Sequence, residues 1–317
     1  MPHPPVVAIL GPTAVGKTTI SLILAEGLGG EIVSADSRLI YRGMDIGTAK
    51  PTPEQRARIP HHLIDVTEVD NPWSLAVFRA AALEAIAAIH ARGRLPFLVG
   101  GTGQYVTAIL EGWSPPALPA DPSLRRELEA YAESHGSEML HRQLAEIDPD
   151  SAARIDRRNV RRVVRALEVA RLTGKPASRL RAKAAPPFRV LRVGLALPRP
   201  ELYARVDARI DAILQAGLVE EVRWLLERGL APDLPAMSGI GYRQMADHLQ
   251  GKIGLEEALQ QMRRATRVLI RRQSNWFKAD DPSIHWFEAG PGVEARIEVL
   301  IRDWLEQGTP PHETVNP

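Results

Sequence analysis

Gly11-Pro12-Thr13-Ala14-Val15-Gly16-Lys17-Thr18 decides how this chain reads. An apolar run, Val6 to Leu10, leads into it, and the composition after it predicts a helix from Thr18 to Leu28. A strand, a glycine loop with G-x-x-x-x-G-K-T spacing and a helix together make a P-loop. Glycine lets the backbone approach an anion, and the N–H groups of the loop and of the helix N-terminus point at it. Lys17 adds a point charge, and the Thr18 hydroxyl is placed to ligate a magnesium ion. The motif predicts a grip on a di- or triphosphate without saying which.

Working outward, Gly29-Gly30 closes the helix, and Glu31–Ala35 reads as a second strand with Asp36 at its end. The polar stretch Ser37 to Thr52 is too long for a simple turn and marks a functional loop. Ser74 is placed to cap a helix reaching Arg92, with apolar residues at Leu75, Phe78, Ala82, Ile86 and Ile89. Pro96–Val99 is a third strand, followed by Gly100-Gly101-Thr102-Gly103 and another helix. Alternating strands and helices predict a parallel sheet wrapped by helices. Ligands bind such sheets beyond the carboxyl ends of the strands. The P-loop, Asp36 and the Gly100–Gly103 turn should therefore converge on one edge.

The character changes at Trp113–Pro122, which carries four prolines and reads as a linker. Ser123 to Leu180 looks helical, Pro186-Pro187 closes it, and Leu191–Leu197 returns as a strand. A helix with Leu202, Val206, Ile210 and Ile213 on one face follows, then a break at Gly217 and a second helix to Arg228. Leu255 to Phe277 is the last clear element. The fold class is therefore α/β: a P-loop-type parallel sheet flanked by helices, with an inserted all-helical domain. Residues 1–112 and 187–317 are expected to form the core with its C-terminal helices, and 113–186 the insertion.

The 317 residues include no cysteine, which removes disulfides, thiolate metal sites and cysteine nucleophiles from consideration. Neither an export signal nor a membrane span is legible, so a cytoplasmic location and no membrane partner are expected. No unexplained apolar stripe asks for a second copy, so a monomer is expected. Net charge is only +2, but its distribution is uneven. Between Arg154 and Arg189 twelve arginines and lysines face only Asp156 and Glu168, and Arg158, Arg161, Arg162 and Arg165 share one helical face. A second cluster joins Arg263, Arg264, Arg267, Arg271, Arg272 and Lys278, ending at Trp276 and Phe277. Such runs are either solvated faces or sites for a polyanion, and basic patches beside aromatics suit RNA loops. Trp276 and Phe277 themselves read as core sooner than as a stacking pair.

Asp36 has three readings: a turn former, a magnesium ligand of a nucleotide enzyme, or a general base toward a second substrate. Asp65 is a weaker candidate metal ligand. A P-loop and a strand-end carboxylate also fit an ATP-dependent small-molecule kinase, or a non-catalytic RNA-binding protein with a nucleotide switch. Neither the kinase nor the P-loop alone requires two basic patches.

The motifs taken together are more specific. Besides the P-loop they are A-D-S-R-L-I-Y-R-G-M-D-I-G-T-A-K-P (35–51), P-H-H-L-I-D (60–65), L-V-G-G-T-G-Q-Y (98–105), N-V-R-R-V-V-R-A-L-E-V (159–169) and G-I-G-Y-R-Q-M (239–245). In that order, from Val6 to Phe277, the chain resembles the bacterial tRNA dimethylallyltransferases, the isopentenyl-tRNA transferase family. The resemblance implies transfer of a dimethylallyl group from its diphosphate to the exocyclic amine of the adenosine immediately 3′ of the anticodon. It implies that Gly11, Pro12, Thr13, Ala14, Val15, Gly16, Lys17 and Thr18 hold the diphosphate with Mg2+ on Thr18. Arg209, or Arg205 one turn earlier, would grip the pyrophosphate. Asp36 would be the proton acceptor and Thr102 the residue orienting the base. The tRNA anticodon stem-loop would meet Asp36, Ser37, Arg38, Leu39, Thr102, Arg125, Arg161, Arg162, Val163, Val164 and Arg165.

Overall fold

The computed structural model describes residues 3–114, 116, 118–119, 121–180 and 182–307. Residues 1–2 and 308–317 of the expected core, 115, 117 and 120 of the expected linker, and Arg181 of the basic run lie outside the described residues. In chain order the elements are β1 (Pro5–Leu10), α1 (Lys17–Gly27), β2 (Gly30–Ser34), α2 (Pro53–Arg58), β3 (His61–His62), α3 (Leu75–Ala91), β4 (Leu95–Val99) and α4 (Gly103–Leu110). Then come β5 (Trp113–Ser114), α5 (Pro122–His135), α6 (Ser137–Ile147), α7 (Pro149–Arg154), α8 (Val160–Thr173) and β6 (Ala182–Lys183). The chain continues with β7 (Arg189–Ala196), α9 (Arg199–Gln215), α10 (Leu218–Glu227), α11 (Tyr242–Leu249), α12 (Leu255–Ser274), β8 (Ile284–Glu288) and α13 (Val293–Glu306).

These elements fall into two compact units. One runs to Leu110 and resumes at Pro186; the other is Glu111–Ala185. The first is built on a parallel six-stranded sheet ordered β3-β2-β4-β1-β7-β8. Its central strand shows why a continuous apolar run is required. Val7 and Ile9 pack into the layer with α1, α9 and α13, while Val6, Ala8 and Leu10 pack into the layer with α3 and α4. A strand covered on both faces has no polar side to show in its sequence. The α3 helix starts where Ser74 accepts a hydrogen bond from the Val77 N–H, and it buries Phe78, Ala82, Ile86 and Ile89. Because β2, β4 and β1 are parallel neighbours, the P-loop, Asp36 and the Gly100–Gly103 turn all leave the same edge of the sheet.

The second unit packs α5–α8 around Leu128, Leu140, Leu144, Val163 and Leu167. The antiparallel pair β5–β6 joins Trp113 to Lys183 where the chain enters and leaves it. Glu168 is fully buried there, accepting hydrogen bonds from the Asp121 N–H and from the guanidiniums of Arg125 and Arg165. Burial alone pushes its pKa up, but the two arginines win and hold it below the usual carboxylate range.

Two features depart from the reading of the sequence. The last clear element there ends at Phe277, whereas α12 ends at Ser274 and the chain then adds β8 and α13. α2 and β3 also add elements that the sequence reading lacks, between the polar stretch ending at Thr52 and the helix capped by Ser74.

Candidate active site

The P-loop begins where β1 stops. A side chain at Gly11 would put its Cβ 2.5 Å from the Leu195 carbonyl, so close approach of β7 requires glycine. Gly16 has φ of 104° and opens α1 with open space around it, so there glycine serves the turn itself. Lys17 folds back and donates to the carbonyls of Gly11 (3.0 Å) and Pro12 (2.8 Å). Burial lowers its pKa to about 8, with the Asp36 carboxylate working to raise it and Arg209 to lower it further. The Thr13 N–H is not free for an anion, since it donates to Gln273 Oε1 at 2.9 Å.

Across the ends of β2 and β4, Thr102 is bonded to the two residues that flank Asp36, Ala35 and Ser37. The Ala35 N–H donates to the Val99 carbonyl at 2.8 Å, and the Thr102 N–H to the Ala35 carbonyl at 3.3 Å. The Thr102 hydroxyl accepts the Ser37 N–H at 3.1 Å. Asp36 Oδ1 accepts the Arg38 N–H at 2.8 Å, a local turn that holds its carboxylate at the strand end. Arg38 itself is spent elsewhere: its guanidinium donates to the carbonyls of Pro235 and Ala236 and to Ser238 Oγ.

The long loop after Asp36 is held by two charges that the sequence reading did not single out for this. Lys50, almost wholly buried, donates to the Tyr41 carbonyl, Asp45 and Asp65. Asp65 thus serves as a half-buried anchor, paired with Lys50 and Arg56, and its carboxylate is engaged by these cations. Glu221 on α10 accepts the N–H groups of Asp45 (2.8 Å), Ile46 (2.7 Å) and Gly47 (3.1 Å) and the Tyr242 hydroxyl (2.6 Å). Three successive backbone donors around one anion make a nest filled by the chain's own carboxylate. Gly47 must be glycine, because a Cβ would stand 2.6 Å from the Tyr242 ring. The ordered loop presents the Thr48 carbonyl to Arg209 at 3.3 Å. Arg205 is paired with Glu201 at 2.9 Å instead.

These parts surround a cleft of about 320 Å³. Lys17, Thr18, Asp36, Thr48, Arg205 and Arg209 line it, with Ile32, Ile64 and Val99 supplying an apolar wall. Ser34 Oγ and His61 Nε2 are buried in the same lining without a hydrogen-bond partner. His61 holds its Nδ1 2.7 Å from the Ile59 carbonyl, which leaves Nε2 as the acceptor, and burial pushes its pKa down. Among the described residues no three His, Cys, Asp or Glu side chains gather as a metal site. The donors that face the cleft beside the P-loop are oxygens, the Thr18 hydroxyl and the Asp36 carboxylate. Those suit a hard cation that keeps much of its water.

The IPP transferase family model matches residues 39–280 of the chain. A tRNA dimethylallyltransferase of Roseiflexus sp. (strain RS-1) is 49% identical over 95% of this chain and 99% of its own length. This chain belongs to the IPP transferase family. Another tRNA dimethylallyltransferase, from Thermomicrobium roseum, is 49% identical over 96% of the chain and 94% of its own. Among solved structures, the tRNA isopentenylpyrophosphate transferase of Bacillus halodurans superposes with a TM-score of 0.71 at 41% identity, covering 96% of this chain and 97% of its own. A eukaryotic dimethylallyltransferase acting on tRNA gives 0.77 at 26% identity, covering 98% of this chain and 81% of its own.

Within this IPP transferase, the residues expected to meet RNA differ in how they are placed. Arg161 and Arg162 are exposed on α8, beside a surface depression of about 480 Å³ that Arg161 lines with Arg158 and Asn159. Val163 and Val164 are 0% and 2% exposed in the helical core, which overturns their expected contact with RNA. They alternate with the arginines because one helix face must be apolar to pack. Arg125 and Arg165 are committed to Glu168, and Arg38 to the loop at 235–238, so their charges already serve the fold. On α12, Arg263 and Arg267 pair with Asp207 and Asp211 of α9, while Arg264, Arg271, Arg272 and Lys278 are exposed. Phe277 is core, and Trp276 is 38% exposed. Gln273 and Glu221 were missed as site residues; an uncharged amide in a basic helix and a common surface acid carry no signal of their own.

Proposed function

We infer that this chain is a tRNA dimethylallyltransferase, an enzyme that moves a prenyl group onto an adenosine of tRNA. The observation that carries the reading is the single cleft into which the P-loop, Asp36 and Arg209 all face. A kinase could use the P-loop and Asp36 as well, but it has no need of the exposed arginines Arg161 and Arg162.

The proposed acceptor is the exocyclic amine of the adenosine immediately 3′ of the anticodon, and the proposed donor is dimethylallyl diphosphate. The amine attacks the allylic carbon next to oxygen. That carbon–oxygen bond breaks, its electron pair leaves with pyrophosphate, and the proton from nitrogen passes to the Asp36 carboxylate. An allylic cation is delocalised, so the bond can break early and stabilising the leaving group is the most effective use of binding energy. Lys17, the N–H groups at the start of α1 and Arg209 supply that stabilisation. Arg209 is favoured over Arg205 because, among the described residues, it donates to a carbonyl and pairs with no carboxylate, whereas Arg205 is paired with Glu201. A magnesium ion held through Thr18 would add positive charge beside the same oxygens. Thr102 orients the base, which must leave its stack to reach it.

For the RNA, Arg161 and Arg162 of the helical unit and Asp36 to Leu39 of the core are the proposed contacts. A monomer is the proposed acting unit, since no apolar stripe of the sequence asks for a second copy, and the cytoplasm the proposed location. Among the described residues no helix is long and apolar enough to cross a membrane. Incubation with tRNA and either dimethylallyl diphosphate or ATP tests the reading. A prenyl mass increment on one adenosine is expected; phosphate transfer without that increment would overturn it.

A further inference from the structure

The end of α12 docks on both glycine loops at once. Gln273 is 6% exposed, accepts the Thr13 N–H at 2.9 Å and donates its amide to the Gly101 carbonyl at 3.0 Å. Only one orientation of the carboxamide satisfies both partners, because a flip would set donor against donor and acceptor against acceptor. Three residues on, the Trp276 indole covers Gly103. A Cβ at Gly101 would lie 2.4 Å from Gln273 Nε2, and one at Gly103 would lie 2.1 Å from Trp276 Cγ. Both neighbours of Thr102 are thus pressed against the end of α12 and the turn that follows it, and Thr102 in turn holds Ser37 beside Asp36.

We propose that Gln273 is a positioning residue that sets the spacing between the loop holding the diphosphate and the loop holding the base. It touches neither substrate. It ties the backbone of Thr13 in the first loop to that of Gly101 in the second, and so fixes the distance across which the allylic carbon meets the adenine nitrogen. A misplacement of about 1 Å between reacting groups is enough to cost on the order of 100-fold in rate. Because Gln273 consumes the Thr13 N–H, the diphosphate is left with the loop's later N–H groups, nearer α1. The proposal rests on the prenyl-transfer reading above.

The test is single-turnover prenyl transfer, with pyrophosphate and tRNA affinities measured separately. Gln273→Glu keeps an acceptor for Thr13 but sets a carboxylate against the Gly101 carbonyl. Its rate at saturating substrates is expected to fall on the order of 100-fold, with both affinities within about threefold of the parent. Gly101→Ala should reproduce that defect by displacing the carboxamide. In Gln273→Ala, where the space is vacated, adding Gly101→Ala should cost little more, since both changes act through one contact. Thermal unfolding of each variant identifies any that fails to fold; if Gln273→Glu does, Gln273→Ala carries the same expectation. Parental rate in Gln273→Glu, a defect wholly accounted for by weaker binding, or full additivity of the alanine pair would overturn the proposal. Failure of the parent protein to transfer a prenyl group would instead overturn the functional reading.

Discussion

Two glycine loops lie side by side at the edge of one sheet, after β1 and after β4, and beyond Gly11, which makes room for the Leu195 carbonyl, they use glycine for different reasons. In the first, Gly16 stands in the left-handed region with nothing near it, so glycine is there for the backbone turn that starts α1. In the second, none of Gly100, Gly101 and Gly103 has a positive φ. They are glycine because Ala35, Gln273 and Trp276 occupy the space where a side chain would go. The first loop is shaped to meet an anion from outside; the second is shaped by the protein around it and delivers one threonine. The same letter in a sequence therefore hides a conformational need in one case and a packing need in the other.

The largest effect should separate the loops by substrate. Asp36→Ala is expected to lower turnover on the order of 1000-fold, the range of a lost general base, while leaving pyrophosphate affinity within a few-fold; isothermal titration beside single-turnover kinetics reads both. Lys17→Ala should do the reverse to affinity, weakening pyrophosphate binding on the order of 100-fold together with a slower chemical step. If the two variants cannot be told apart by affinity, the division of labour between the loops is wrong.

A smaller effect tests the glycines themselves. Gly16→Ala should weaken pyrophosphate binding about tenfold through backbone strain of about 1–2 kcal/mol, and no neighbour's truncation should restore it. Gly103→Ala should be relieved in part by Trp276→Ala, since its defect is a clash whose nearest atoms, Trp276 Cγ and Cδ2, alanine lacks; activity of the double variant below that of Gly103→Ala alone would remove the distinction. The smallest effect concerns pH. On the proposed reading the diphosphate pairs with the ammonium form of Lys17, so raising the pH through about 8 should remove the proton and weaken binding. Affinity should fall up to tenfold for each further unit, a trend that Lys17→Ala abolishes.

Much of the fold is legible because its reasons are local. β1 reads as an uninterrupted apolar run because both of its faces are covered, and α3 announces itself with Ser74 and a regular apolar face. α2 also carried a signal, Thr52-Pro53-Glu54-Gln55, whose Thr52 and Gln55 cap each other's backbone. β3 carried none: two half-exposed histidines become a strand only because β2 offers them a partner. β8 is an edge strand with one buried residue, Ile284, so its sequence lacks the alternation that marks a covered face.

The site divides the same way. The P-loop and Asp36 are visible because their chemistry needs particular residue types at particular spacings. The basic runs are visible as composition, but composition does not say which arginines are already engaged. Arg165 and Arg125 neutralise a buried glutamate, Arg263 and Arg267 answer the aspartates of α9, and only Arg161 and Arg162 of the α8 series are exposed beside the surface depression. Partners far away in sequence decide such roles, and so they do for Glu221 and Gln273.

Lys17 has one more consequence, for the protein with nothing bound. Its pKa is about 8 in the fold against 10.5 for an ordinary lysine, so between those values the unfolded chain binds more protons than the folded one. Folding stability should therefore rise from pH 8 toward 10.5, and below pH 8 the confined ammonium costs the fold about 3 kcal/mol. One proton thus pulls in two directions. Alkali should relax the empty protein while weakening the proposed hold on diphosphate, and near neutrality Asp36 and the Gly11 and Pro12 carbonyls offset only part of the cost of confining the charge.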